Sequence, residues 1–187
     1  MTQRTHDLIG LAFVSYRFLA YPLPHMSWET ILGIGAVTIV GALIPDIDNV
    51  ASPAWKQKLT PWDGKATRDF LQGHRHLSHS LLGILLFTFV LHALFKVVAI
   101  PKLDTGLIEQ AFMLAQLSHL LADSLTVEGV PWLYPIPFKF GFPPFSFLRI
   151  KTGGLIEKLI VFPATLILTI WIYYNYRGTI ATIIKGI

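Results

Sequence analysis

The chain has 187 residues, of which 53% are hydrophobic and only 14% charged, with a mean hydropathy of +0.56. That is too apolar for an ordinary soluble domain and suits a single membrane-embedded domain, residues 1–187. The net charge of +4 is small and unevenly spread, which argues against a nucleic-acid partner, and the lack of cysteine excludes disulfides and thiolate metal sites.

Residues 1–7 lead into the first apolar stretch without a small-residue cleavage pattern, so no removable signal peptide is expected. Leu8 to Pro22 is apolar apart from Ser15 and Arg17 and falls short of the ~20 residues that a span needs. The prolines of Y-P-L-P at 21–24 end it. Thr30 to Ile44 is a second apolar stretch, rich in small residues (Gly33, Gly35, Ala36, Gly41, Ala42) that let membrane helices approach closely. These two short segments span separately or form a re-entrant hairpin.

Residues 49–73 are the most polar part, with Lys and Arg interleaved with Trp55 and Trp62, as in a segment at headgroup level. A third apolar run covers Leu77 to Ile100, and a fourth helix is expected from Leu107 to about Leu125. Residues 129–149 combine prolines with many aromatics, so they form no regular helix, yet they are too greasy for a solvated loop. They are expected at the membrane interface or over a site, as a route for lipid. Leu155 to Tyr176 is the fifth apolar helix. The expected fold is therefore all-α, a membrane bundle of about five helices.

If each run crosses the membrane, ten of the 15 Lys and Arg residues fall on the side of the N-terminus and of the loops at 45–78 and 126–158. The positive-inside tendency puts that side in the cytoplasm. His6, Asp46, Asp48, His74, His79, His119, Asp123 and Glu157 fall on the same side. His25, His92 and Glu109 are left out of that group.

Three motifs carry the chemistry. P-D-I-D at 45–48 ends an apolar helix with two carboxylates, which can aim at one cation or be ordinary charges outside the membrane. H-R-H-L-S-H-S at 74–80 sets His74, His76 and His79 around Arg75, whose planar fork suits phosphate or carboxylate. The bland alternative is a basic flank, which more often uses Lys and Arg. S-H-L-L-A-D at 118–123 puts His119 and Asp123 on one helix face at i, i+4, as two ligands, a ligand and its orienting carboxylate, or a packing pair.

With T-H-D-L-I-G at 5–10, G-V-P-W-L-Y-P at 129–135 and K-T-G-G-L-I-E at 151–157, these motifs resemble the YdjM-like family of membrane-bound metal-dependent hydrolases, in the family's order and over most of residues 5–157. The resemblance implies His6, Asp46, Asp48, His74, His79, His119, Asp123 and Glu157 as metal-site residues, with His76 ranked lower. The H-x-x-x-D spacing is distantly similar to zinc-dependent phospholipase C over one helix, which suggests phosphoester chemistry.

The expected cofactor is one or two divalent ions, zinc first and manganese or iron next, held by imidazole and carboxylate. The expected reaction is hydrolysis of a phosphoester in a lipid or lipid-linked substrate by metal-activated water. Asp48 or Asp123 orients that water, and Arg75 and Lys151 hold the phosphate. The alternatives are an ion or proton transporter and a metal-stapled scaffold without turnover.

Overall fold

A computed structural model describes residues 1–22, 26–48, 77–98, 100–136 and 138–185. Six α-helices appear among the described residues: α1 (Gln3–Ala20), α2 (Trp28–Leu43), α3 (Leu81–Val97), α4 (Thr105–Ser124), α5 (Phe162–Asn175) and α6 (Arg177–Lys185). A 3-10 turn, Ile44–Asp48, continues α2, and a wider π turn, Glu157–Val161, leads into α5. There are isolated bridges, Thr126 with Ile150 and Val130 with Phe140, but no strand among the described residues.

Helix α4 is the centre. It packs against α1, α2 and α3, while α1 also packs against α5. Its apolar side joins Ala111 and Ala115 to Val14 and Phe18 of α1, and Leu120 to Ile84 of α3 and Val130. Small residues set the α2–α4 spacing. A Cβ on Gly41 would lie 2.8 Å from the Phe112 carbonyl oxygen and 2.9 Å from the Ala115 Cβ. Three helices start on side-chain caps that relieve otherwise unpaired first-turn amides. Ser27 accepts from Thr30 N–H (3.2 Å), Ser80 from Gly83 N–H (3.0 Å) and Asp104 from Leu107 N–H (3.1 Å).

The polarity is inverted relative to a soluble domain. His6, His79, Gln116, His119, Asp123 and Glu157 are buried, whereas Leu85, Phe89, Leu159, Ile167 and Trp171 are exposed. Soluble proteins seldom bury so many titratable groups under so apolar a surface, and a lipid solvent explains both. Among the described residues, two segments are long and apolar enough to cross a membrane: Trp28–Ile47, with mean hydropathy 1.9, and Glu157–Asn175, with 1.4.

The structure differs from the sequence expectations at three places. Helix α1 begins at Gln3, not Leu8, because Thr2 and Thr5 are bound by Glu157 and the polar first turn faces protein. Helix α3 begins only at Leu81, since Ser80 caps it, and Leu77 to Ser80 form a turn where the apolar run was expected to begin. The last expected helix opens with a π turn before α5 and ends near Tyr176 as expected, and a further short helix, α6, follows it, so six helices stand among the described residues where about five were expected.

Candidate metal centre

Four separate segments deliver imidazole and carboxylate groups to one buried point. The first turn of α1 supplies His6, the 3-10 turn after α2 supplies Asp46, the turn before α3 supplies His79, and the last turns of α4 supply His119 and Asp123. His6, His79 and His119 are fully buried, and Asp46 and Asp123 nearly so. Two overlapping sets have every donor atom within 4.8 Å of the others: His6, Asp46 and His119, and His79, His119 and Asp123.

The separations suit a shared cation. His79 Nε2 lies 3.5 Å from Asp46 Oδ1 and 3.7 Å from Asp123 Oδ2. His119 Nε2 lies 3.8 Å from Asp123 Oδ2 and 4.0 Å from Asp46 Oδ2. Donors at ~2.1 Å around one tetrahedral ion are separated by about 3.4 Å, so these groups stand slightly outside coordination distance. His6 Nε2 is closer to Asp123, 3.1 Å from Oδ1, and its ring stacks on His119 with centroids 3.6 Å apart and planes 6° apart. The Met1 amino group also donates to Asp123 Oδ1.

His119 shows how the site is prepared. Its Nδ1 is 2.7 Å from the Ala42 carbonyl oxygen, which can only accept. Nδ1 therefore carries the proton, and in the neutral ring Nε2 presents a lone pair toward Asp46 and Asp123. That buried Nε2 has no hydrogen-bond partner. Such an atom is costly unless something occupies it, and a second-nitrogen bond to a backbone carbonyl is how proteins orient metal-ligating histidines. Ala42 reaches His119 because Gly41 lets α2 lie against α4. Ser78 Oγ lies 3.1 Å from His79 Nδ1, and His79 Nε2 faces the cluster carboxylates. The arrangement can hold a divalent metal.

The structure brings His6, Asp46, His79, His119 and Asp123 together and puts Glu157 elsewhere. One Glu157 oxygen accepts from Thr2 N–H (2.6 Å), the Thr2 hydroxyl (2.7 Å) and the Thr5 hydroxyl (2.7 Å), and the other from Gly153 N–H (2.7 Å). Glu157 thus ties the start of α1 to the turn before α5, and neither candidate cation set contains it. Lys151 is exposed in that turn. His74, Arg75 and His76 lie outside the described residues, as does the side chain of Asp48, whose backbone closes the 3-10 turn. His92 pairs with Glu109 at 3.0 Å on the half-exposed α3–α4 seam, away from the cluster.

Sequence reasoning missed the groups that support the ligands. The Ala42 carbonyl has no side-chain signature. Ser78 lies inside the H-R-H-L-S-H-S motif, and Thr5 inside T-H-D, so both were within reach of the pattern.

The family model described as YdjM inner membrane protein matches residues 1–184. The chain is 31% identical over 178 residues to the uncharacterized protein YvsG of Bacillus subtilis (strain 168), covering 95% of this chain and 98% of that one. It is 32% identical over 178 residues to the inner membrane protein YdjM of Escherichia coli (strain K12) and of Shigella flexneri, covering 94% of this chain and 84% of theirs. No solved structure matches. The match runs through every segment that supplies the buried His–Asp cluster, and the chain belongs to the YdjM inner membrane protein family.

Proposed function

We propose that this protein is a multi-pass membrane hydrolase that uses a divalent metal to cleave a phosphoester in a lipid or lipid-linked substrate. The observation that carries the reading is the buried His119 Nε2, fixed as a lone-pair donor by Ala42 and left without a hydrogen-bond partner between two carboxylates. His79, His119, Asp46 and Asp123 are the proposed ligands. His6 stacks on His119 and pairs with Asp123, either as a ligand to a second ion or as an orienting group. His74 and Asp48 are proposed to complete the set. The nitrogen and oxygen donors suit zinc first, then manganese or iron.

A divalent ion held there would supply the positive charge that acidifies a water toward pH ~7 and offsets charge on a phosphoryl group. Asp48 or Asp123 would take the proton from that water, and Arg75, with Lys151, would grip the phosphate. Glu157 acts differently: it holds α1 in the register that aims His6. The excess of Lys and Arg on the cluster's side of the chain supports a cytoplasmic site and five spans.

Transport is the rival reading, and the His92–Glu109 pair is the observation that favours it. Glu109 lies ten residues before His119 on α4, about 15 Å along the axis. Between them Gln116 makes only long contacts, 3.4 Å to the Phe112 carbonyl and 3.5 Å to Thr88. Among the described residues the polar groups do not form a continuous path, which favours a site over a conduit.

The test is turnover by metal-loaded protein in detergent, with phosphatidic acid, other phospholipids and polyprenyl phosphates followed by mass spectrometry. Wild type should release product from at least one class, and Asp123→Asn and His79→Ala should release none. Metal-loaded wild type inert toward the whole panel would contradict the phosphoesterase reading.

A further inference from the structure

The proline-aromatic segment has a definite fold. Val130 and Phe140 exchange both backbone hydrogen bonds at 2.8 Å, and Phe142 N–H donates to the Ser124 carbonyl at 2.8 Å. Arg149 ties the far end, donating from Nε to the Pro143 carbonyl (2.6 Å) and from Nη2 to the Pro144 carbonyl (2.8 Å). A Cβ on Gly141 would lie 2.2 Å from Arg149 Nη1 and would push the guanidinium off its two carbonyls. With its polar backbone turned inward, the loop holds its aromatics outward: Phe138 is 64% exposed, Phe145 63% and Phe147 80%.

Further along the chain, Leu155, Leu159 and Ile160 are also exposed at the entry to α5, a candidate span. Lys139, Lys151 and Lys158 are exposed along the same stretch and make no ion pair among the described residues. Aromatics beside unpaired lysines, followed along the chain by a lipid-facing helix, match the chemistry of an anionic leaflet at headgroup depth.

We infer that residues 138–148 form an interfacial wedge that inserts into the anionic leaflet and fixes the His–Asp cluster at headgroup depth. The loop is tied to the cluster through Phe142 N–H, which donates to the Ser124 carbonyl (2.8 Å) next to Asp123. It also pairs through Phe140 with Val130, near Trp132, whose indole donates to Ser124 Oγ (2.8 Å) and whose carbonyl accepts from Leu81 N–H (3.1 Å), two residues after His79. Insertion of the loop therefore sets the depth of the cluster. This goes beyond the hydrolase reading and stands without it, since an inactive or metal-free protein would insert the same wedge.

The chain has no cysteine, so single labels can be placed cleanly. Phe142→Cys, Phe147→Cys and, in the turn before α4, Lys102→Cys would carry an NBD fluorophore in proteoliposomes of phosphatidylethanolamine with phosphatidylglycerol. Labels at 142 and 147 should be quenched by lipid bearing a nitroxide near the headgroup and shielded from aqueous iodide, while the label at 102 should be quenched by iodide. Replacing Lys139, Lys151 and Lys158 with serine should weaken the lipid quenching at 147. Iodide quenching at 147 equal to that at 102 would overturn the inference. So would shielding from both quenchers with disulfide cross-linking between copies, which would make the face a protein interface. Metal content, read on the same labelled proteins, separates failure of the wedge from failure of the metal site.

Discussion

Replacing Glu157 with alanine takes the acceptor from four donors at once: Thr2 N–H, the Thr2 and Thr5 hydroxyls, and Gly153 N–H. A hydrogen bond to a charged group contributes about 1.5–3 kcal/mol. Part of the loss is recoverable, because the two hydroxyls already lie 2.9 Å apart and can pair with each other, and Thr2 and Gly153 are only half-buried. Two bonds unrecovered leaves about 3–6 kcal/mol. For a chain of this length each kcal/mol moves the unfolding midpoint by about 2–4 °C, so the drop should be roughly 10 °C. The assay is thermal unfolding in detergent with a strong chelator present. A metal ligand shows its stabilising effect only in loaded protein. The clamp reasoning requires the midpoint of Glu157→Ala to fall in chelator as well. A variant that melts like wild type in chelator, yet purifies with less metal, would refute it and make Glu157 a ligand.

Ser78→Ala removes the group beside His79 Nδ1 and should weaken metal affinity by about 10–100-fold, measured by competition with a fluorescent chelator. Gly41→Val drives a side chain into the Phe112 carbonyl and Ala115, should cost about 1–3 kcal/mol, and should lower metal affinity too, because it displaces Ala42 from His119. Gly35→Ala is its control: nothing lies within 4 Å of the added carbon, so the helix should gain up to about 1 kcal/mol with metal affinity unchanged. Chelation of wild type should lower its unfolding midpoint, by about 2.7 kcal/mol of stability relative to metal at 100 times its dissociation constant.

The end of the bundle that carries the chemistry was legible because the ligand types recur where apolar runs stop. His119 and Asp123 were paired by helical spacing alone, and α4 forms over nearly the expected residues. His79 reaches the cluster from a turn held by Ser80, whose bonds to the Leu77 carbonyl and Gly83 N–H delay the helix to Leu81, and hydrophobicity does not report a cap inside an apolar run. Glu157 counts as a metal residue only through the family resemblance, because a carboxylate at a helix start looks alike in either role. Only the tertiary meeting of residues 2–5 with 153–157 reveals the clamp. The polar start of α1 is likewise silent in the sequence, since the partner of Thr5 is 152 residues away.

Metal analysis of the detergent-purified protein tests the central claim most directly, with wild type beside His119→Ala and Asp123→Ala. The account predicts a stoichiometric divalent metal in wild type that both variants lack. Wild type free of metal, even after incubation with zinc or manganese and removal of the excess, would contradict it.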